Sequence, residues 1–238
     1  MMQPFNLEGH EKQFPVQSLP RNQQPMDPFF GGFMGALRAA IEPGSSEFGL
    51  GLSLFSLAVS INARCMVEIG RFRGFSTFAL SSALRFLEIG WDEPGHHCIR
   101  PDVDYVEFSL PCKRELYSID PVPLPEAERL LAAHDLTRFV TFANVRSDSL
   151  FLTRQFDLAF VDGDHSYPAV CADVEKYATR GLRPGGYLVL HDYFGWYNAH
   201  GENCSPIKRV VDELQASGSY ESLLIDTSFQ SFVILRKQ

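Results

Sequence analysis

Apolar residues in this chain gather into short runs that alternate with longer segments of helical spacing. Short, uninterrupted apolar runs are typical of strands that are buried on both faces of a parallel sheet. The runs that fit this description are Cys65–Ile69, Glu115–Ile119, Phe139–Ala143, Asp157–Val161 and Gly186–Leu190. The pattern therefore predicts an α/β fold with a doubly wound, mostly parallel sheet.

The segment between the last two of these strands predicts a crossover helix. Its apolar residues form a helical stripe made of Tyr167, Val170, Cys171, Val174, Tyr177 and Ala178. Ser166 is placed to cap the start of this helix, and residues 183–186 break the pattern before the next strand. A strand, a helix and a strand in this order form a βαβ unit, whose crossover is right-handed in nearly all cases.

The end of the chain predicts one more helix and two more strands. The helix begins near Pro206, ends before Gly218, and has one apolar face formed by Ile207, Val210, Val211 and Leu214. The runs Tyr220–Ile225 and Ser231–Leu235 read as strands joined by a short turn, so they add an antiparallel element to the sheet.

Acids and histidines follow the last two parallel strands. Asp162, Asp164 and His165 come directly after one strand, and His191 and Asp192 follow the other. Because the carboxyl ends of neighbouring parallel strands meet at one edge of a sheet, we expect these side chains to converge in the crevice where open α/β sheets bind ligands. Such a cluster indicates a metal site, a general base, or both, although Asp164 or His165 could instead cap the following helix.

Composition and charge narrow the class of protein. The chain of 238 residues carries a formal net charge of −8, which argues against a nucleic-acid backbone or an anionic membrane as its main partner. Its five cysteines are odd in number and widely spaced, which favours a reduced, cytoplasmic protein. No apolar run reaches membrane-spanning length, and the first residues lack the basic-then-apolar order of a signal peptide.

A glycine-containing turn follows the first predicted strand. The sequence from Cys65 to Leu87 passes through Gly70 and Gly74 and enters a helix at Ser76 or Thr77. Glycines at such a turn let the backbone approach a ligand, and the free amides of a helix start favour a carboxylate or a phosphate. The dinucleotide fingerprint G-x-G-x-x-G is absent, which disfavours a nicotinamide cofactor.

Four motifs resemble those of a known enzyme family. They are Glu-Ile-Gly-x-x-x-Gly-x-Ser-Thr at 68–77, Ser-Ile-Asp-Pro at 118–121, Val-Asp-Gly-Asp-His-Ser-Tyr at 161–167 and Pro-Gly-Gly-Tyr-Leu-Val-Leu-His-Asp at 184–192. In this order they resemble class I S-adenosylmethionine-dependent methyltransferases, and most closely the small-molecule O-methyltransferases that include macrocin-type sugar methyltransferases. The resemblance covers roughly residues 50 to 236 and implies a Rossmann-like methyltransferase fold.

The resemblance also implies which residues hold the cofactor. The methionine end of S-adenosylmethionine would lie on the glycine turn, the ribose on the acid that ends the second strand, and the adenine beside the loop after the third strand. The residues implied are Glu68, Gly70, Gly74, Ser76, Asp120, Ser147, Asp148 and Asp162. For Asp148, a solvated loop acid is an equally good interpretation.

The resemblance also implies which residues act on the acceptor, the molecule that receives the methyl group. Asp162 and Asp192, with His191, would bind a divalent cation such as magnesium or manganese, and His165 would be the general base beside the catalytic Asp162. A carboxylate is usual at the position of His191, so this residue could instead act as a base or contact the acceptor. The expected acceptor is a hydroxyl group of a small metabolite such as a sugar, a glycoside or a phenol.

The organisation expected from the sequence is an N-terminal arm, partly irregular, over residues 1–45, and a catalytic domain over residues 46–238 with an insertion at about 88–114. The histidines and cysteines of that insertion have no standard zinc-ligand spacing. The arm could pack over the sheet or onto another subunit, which leaves a homo-oligomer open. Two other functions also remain open at this stage: a nicotinamide-dependent oxidoreductase and a non-catalytic S-adenosylmethionine-binding protein.

Overall fold

The structure is a computed structural model that describes residues 26–40, 48–89, 113–194, 200–201, 204–225 and 231–238. Its centre is a seven-stranded sheet in the order β3-β2-β1-β4-β5-β7-β6. The strands are β1 (Cys65–Ile69), β2 (Glu115–Ile119), β3 (Val140–Ala143), β4 (Phe156–Val161), β5 (Leu182–His191), β6 (Tyr220–Ile225) and β7 (Phe232–Lys237).

The pairing of these strands confirms the predicted fold class. Strands β1 to β5 are parallel to one another, whereas β7 runs antiparallel to both β5 and β6. The order reverses between β1 and β4, because the chain leaves β1 towards β2 and β3 and then returns to place β4 on the other side of β1. Such a switch point opens a crevice at the carboxyl ends of the strands.

Helices cover both faces of the sheet. They are α1 (Met26–Ala39), α2 (Phe48–Ser60), α3 (Phe75–Leu87), α4 (Pro125–Ala133), α5 (Tyr167–Asp173), which continues as a π-helix over Val174–Thr179, and α6 (Pro206–Ala216). One apolar core joins α1, α2, α3 and α4 to the sheet, and a second core joins α5 and α6 to the opposite face. Along β4, Phe160 belongs to the first core and Val161 to the second, as the alternation of side chains in a strand requires.

The predicted crossover between β4 and β5 differs in two details. Strand β5 begins at Leu182 rather than at Gly186, and its pairing with β4 shifts register between Phe156 and Leu158. Pro184 lies in this irregular part of the strand, where its missing N–H is tolerated. The crossover helix also widens into a π-helix after Asp173, which the apolar stripe did not predict.

Helix α1 lies inside the segment that was predicted to be a partly irregular arm. Its Phe33 and Leu37 are buried, and Phe33 stacks on Phe55 of α2 with a centroid distance of 4.3 Å. The boundary of the arm and the extent of the catalytic domain stay predictions. His96, His97, Cys98 and Cys112 lie outside the described residues, and so does most of the insertion.

Two further findings concern only the part of the chain that the structure describes. None of its helices combines the length and the apolar character needed to cross a membrane. Cys65, Cys171 and Cys204 are free thiols, and burial raises the pKa of Cys65 to about 12, which makes this thiol unreactive.

Candidate active site

A cavity of about 850 Å³ opens at the carboxyl ends of the parallel strands. Its wall includes the turn after β1, Asp120 after β2, Ser147 and Asp148 after β3, and Asp162 after β4. His165, His191 and Asp192 line the same cavity. The topology therefore brings most of the predicted cofactor and acceptor residues to one crevice.

The turn after β1 requires glycine at two positions. Gly70 has φ +89°, and a Cβ atom there would lie 2.0 Å from the main-chain oxygen of Asp162. Gly74 has φ +90° and caps α3, and a Cβ atom there would lie 2.7 Å from the Cβ of Ala127. Only glycine fits such a left-handed, close-packed position without strain. Ser76, in the first turn of α3, lines the cavity, whereas Gly74 does not.

Asp120 fixes the conformation of the turn after β1. Its Oδ2 accepts hydrogen bonds from the main-chain amides of Arg71 and Phe72, each at 2.9 Å, and its Oδ1 accepts one from the amide of Val122 at 2.8 Å. An ionised carboxylate has about four lone-pair positions, so Oδ1 retains capacity for one more donor. The side chain that was predicted to hold the ribose thus also organises the glycine turn.

Glu68 is fully buried and does not line the cavity. Its Oε2 accepts hydrogen bonds from the hydroxyls of Thr77 and Ser118, both at 2.6 Å. Burial raises the pKa of this carboxyl, although the hydroxyls of Ser118, Ser76 and Thr77 and the charge of Arg71 oppose the shift. The geometry gives Glu68 a role in joining β1, β2 and α3, and its contact with the cofactor stays a prediction.

Two side chains of the π-helix form hydrogen bonds with the loop after β3. Tyr177 donates its hydroxyl to the carbonyl of Ser147 at 2.6 Å, and Lys176 donates to the carbonyls of Ser147 and Asp148 at 2.7 and 3.0 Å. The side chain of Asp148 is 56% exposed and pairs with Arg146 at 3.1 Å. Hydrogen bonds from Ser149 and Arg146 lower the pKa of Asp148.

The acids and histidines after β4 and β5 converge as predicted from the strand order. His165 Nε2 lies 3.3 Å from Asp162 Oδ1, and His165 Nδ1 lies 3.2 Å from Asp192 Oδ2. His191 Nδ1 lies 3.0 Å from Asp162 Oδ1 and 3.5 Å from Asp192 Oδ1. Each imidazole is therefore within reach of both carboxylates.

This cluster has the composition of a divalent metal site. Within the described residues, one ligand atom each from Asp162, His165 and Asp192 lie within 4.8 Å of one another. Carboxylates suit magnesium and manganese, and an imidazole is accepted better by manganese. The residues present therefore fit a divalent cation. The geometry makes His165 a third ligand candidate, a role that the sequence analysis gave to His191.

Mutual interactions set the charge of this cluster. Burial alone would raise the pKa of Asp162, but hydrogen bonds with His165 and His191 hold it below its usual value. The hydrogen bond to Asp162 raises the pKa of His165 against the effect of burial, and the charge of Asp192 adds to this rise. Asp162 is thus kept ionised, as both a metal ligand and a partner of an imidazole require.

Local backbone geometry positions the two ends of this cluster. Asp192 has φ 55°, a left-handed conformation that aspartate tolerates better than most residues, and the Ser205 hydroxyl donates to its carbonyl at 3.0 Å. The side chain of Asp164 accepts the amide of Ser166 at 2.9 Å and so prepares the start of α5. The prediction that the Ser166 side chain caps α5 is wrong, because this side chain makes no capping hydrogen bond.

Two cavity residues were missed by the sequence analysis. The Arg71 guanidinium is buried against Phe142 and donates to the Ser118 carbonyl at 2.9 Å and to the Asn144 side chain at 2.6 Å. Asp173, the last residue of α5, is buried and lines the cavity. The position of Asp173 could have been inferred from its spacing. It lies three residues after Val170 and four before Tyr177, which places it on the buried side of the helix.

The doubly wound sheet, the glycine turn and the acid that ends β2 together define an α/β enzyme that binds a ligand at the carboxyl edge of its sheet. A family model described as a methyltransferase domain matches residues 67–193 of this chain. The chain therefore belongs to this methyltransferase family. No curated protein matches the chain significantly.

Several solved structures share the fold. An O-methyltransferase from Bacillus cereus in complex with SAH has a TM-score of 0.58 and 16% identity, with 93% of this chain and 96% of that chain covered. An SAH-bound methyltransferase from Podospora anserina has a TM-score of 0.61 and 14% identity, with 88% of each chain covered. The O-methyltransferase TomG from Streptomyces achromogenes, in complex with SAM, has a TM-score of 0.55 and 17% identity, with 89% and 90% covered. At these identities the likeness establishes the fold alone.

Proposed function

We propose that this protein is an S-adenosylmethionine-dependent O-methyltransferase that acts on a hydroxyl group of a small metabolite with the help of a divalent cation. The observation that carries the proposal is one cavity that joins the glycine turn after β1 to the cluster of Asp162, His165 and Asp192. Family membership and solved relatives named as O-methyltransferases support it. Sugars, glycosides and phenols are the acceptor classes proposed, and a sugar acceptor of the macrocin type rests on the resemblance of the motifs.

The proposed cofactor fits the first half of this cavity. A side chain at Gly70 would collide with the Asp162 backbone, so the turn that lines this part of the cavity requires glycine, and the first turn of α3 supplies backbone amides for the methionine carboxylate. The free lone pair on Asp120 Oδ1 would accept a ribose hydroxyl, and Ser147 and Asp148 would lie beside the adenine. The positive sulfonium would then point towards Asp162, whose depressed pKa keeps it negative.

The proposed chemistry takes place beside His165. The acceptor hydroxyl loses its proton to His165, its oxygen forms a bond to the methyl carbon, and the sulfur–methyl bond breaks with both electrons going to sulfur. Holding donor and acceptor in line can contribute about 7–11 kcal/mol to such a step. A divalent cation held by Asp162, Asp192 and an imidazole would lower the pKa of the acceptor hydroxyl.

The two imidazoles require separate assignments. We assign His191 as the third cation ligand and His165 as the base. The alternative assignment exchanges these roles, and it is favoured by the close approach of His165 Nδ1 to Asp192. Cation affinity distinguishes the two: manganese binding should weaken in a His191→Gln variant under the first assignment and in a His165→Gln variant under the second.

The experiment that tests the proposal begins with calorimetry of S-adenosylhomocysteine and then measures methyl transfer to a panel of sugars, glycosides and phenols with magnesium or manganese. We expect micromolar binding and cation-dependent transfer to an oxygen atom. Asp192→Asn should reduce turnover while the affinity for S-adenosylhomocysteine stays within about threefold, because Asp192 would contact the cation and the acceptor rather than the cofactor. Transfer that is unaffected by a chelator would refute the role of the cation, and failure to bind S-adenosylhomocysteine would refute the function itself.

A further inference from the structure

Asp173 is a buried carboxylate at the end of the cavity that faces the loop after β3. Only 5% of this residue is exposed, yet it lines the cavity together with Ala169 and Ala172 of the same helix. Its Oδ2 would lie 3.7 Å from a Cβ atom at Gly163, so the absence of a side chain at Gly163 leaves the carboxylate accessible from the cavity. The two small alanines leave room for a flat ring.

The partners of Asp173 leave part of its hydrogen-bonding capacity unused. Burial raises the pKa of Asp173, whereas hydrogen bonding with the Ser147 side chain and the charge of Lys176 lower it, and the ionised carboxylate can accept about four hydrogen bonds. No residue in the described ranges forms an ion pair with Asp173. Lys176, the nearest basic residue along the chain, instead donates to the carbonyls of Ser147 and Asp148. Buried carboxylates are normally paired, so an unpaired one that lines a cavity indicates a ligand that donates hydrogen bonds.

Asp148 is the other acid at this end of the cavity, and its surroundings are different. Its side chain is more than half exposed, and its oxygens contact Arg146 and Ser149. A hydrogen bond made in water discriminates weakly between ligands, because solvent can replace it, whereas a buried acceptor left without its donor is costly. Asp173 is therefore better placed than Asp148 to select one ring over another.

We propose that Asp173 determines the nucleobase specificity of the cofactor site by accepting a hydrogen bond from the exocyclic amine of adenine. This inference rests on the proposed function. An ionised carboxylate is an acceptor only, so it attracts the 6-amino group of adenine and repels the 6-oxo group of hypoxanthine. Asp173 thus excludes deaminated cofactors.

The test compares the binding of S-adenosylhomocysteine and its 6-oxo analogue, S-inosylhomocysteine, by calorimetry on the whole chain. The wild-type protein should bind the adenine form at least about tenfold more tightly, because a buried hydrogen bond to a charged group has that effect. Asp173→Asn should bring the two affinities to within about threefold, since an amide can donate to the 6-oxo group as well as accept from the amine. Glu175→Gln, two residues along the same helical segment, is the matched control, because Glu175 is exposed and pairs with Arg180.

The possible results of this comparison separate failure of the Asp173 inference from failure of the proposed function. Wild-type protein that binds S-adenosylhomocysteine and its 6-oxo analogue equally would overturn the inference without use of any variant, even if Asp173→Asn does not fold. An Asp173→Asn protein that folds and keeps the full preference for adenine would also overturn it. Wild-type protein that binds neither compound would overturn the proposed function together with this inference, which separates the two failures.

Discussion

Replacement of His165 by glutamine tests the centre of the proposed mechanism. Glutamine keeps polar atoms near the positions of the two ring nitrogens, which lie 3.3 Å from Asp162 and 3.2 Å from Asp192, but it cannot take up a proton. A positioned general base contributes about 10²–10⁴-fold to a rate, equivalent to about 3–5 kcal/mol of transition-state stabilisation. We expect a loss of kcat within this range.

The structure predicts that the same change has little effect on folding. The side chains of His165 and Asp192 are 31% and 35% exposed, so solvent screens the contact between them, and the more buried Asp162 keeps His191 as a partner after the change. Contacts of this kind contribute about 0–1 kcal/mol, which corresponds to a shift of no more than about 2–4 °C in Tm for a chain of this size. His134→Gln is the matched control, since His134 packs near Phe78 and does not line the main cavity.

The assay is methyl transfer at saturating S-adenosylmethionine, repeated across a manganese titration. A loss of kcat that persists at every manganese concentration supports the role of His165 as a base. Recovery of kcat at high manganese would refute that role and identify His165 as a cation ligand. A decrease in kcat of less than about threefold, with unchanged manganese affinity, would refute both assignments.

Three further outcomes follow from the fold. Gly70→Ala should unfold the protein or abolish binding of S-adenosylhomocysteine in calorimetry, because the new methyl group would lie 2.0 Å from the Asp162 carbonyl oxygen at φ +89°. Glu68→Gln should gain stability relative to wild type as pH rises: burial raises the folded-state pKa of Glu68 above that of the unfolded chain, so its contribution to stability is complete below the unfolded pKa and is lost as pH rises through the folded pKa. Thermal melts from pH 4 to 8 measure this, and a constant difference between the two proteins would contradict it. Lys237→Met should lower the free energy of unfolding in urea by about 1–3 kcal/mol, because Lys237 donates to the carbonyl of Thr179 at the end of the π-helix at 2.6 Å and to the carbonyl of Leu182 at the start of β5 at 2.7 Å. No change would contradict this account.

The strands could be predicted from the sequence because both faces of the sheet are covered. A strand buried on both sides has an uninterrupted apolar run, and the bounds of β1 and β2 match their runs. The start of strand β5 differs most from the prediction, since Arg183 and Pro184 read as a turn, whereas the register shift opposite Phe156 accommodates both of them within the strand. This irregular pairing depends on the neighbouring strand β4, so the sequence of β5 alone does not reveal it.

The candidate site was predictable in part for a topological reason. Asp162, His165 and Asp192 follow parallel strands that turned out to be adjacent, so their convergence needed only the strand order. Glu68 and Asp173 show the limit of this reasoning. Side chains in a strand alternate between its two faces, and the packing of α3 against β2 turned Glu68 towards Thr77 and Ser118 rather than towards the cavity. Asp173 looks like an ordinary helix acid until α5 is packed beside the loop after β3.

The contact between Gly70 and Asp162 has a consequence for changing the acceptor of this enzyme. The Ile69 carbonyl accepts the amide of Asp162 at 2.8 Å, and the Gly70 amide donates to the Ile119 carbonyl at 2.9 Å, so main-chain hydrogen bonds join the ends of β1, β2 and β4. Under the proposed function, the turn that carries the methyl donor and the acid beside the acceptor are parts of one rigid frame. Engineering for bulkier acceptors should therefore leave these three strand ends untouched, because a change in any one of them would move the donor and the acceptor relative to each other.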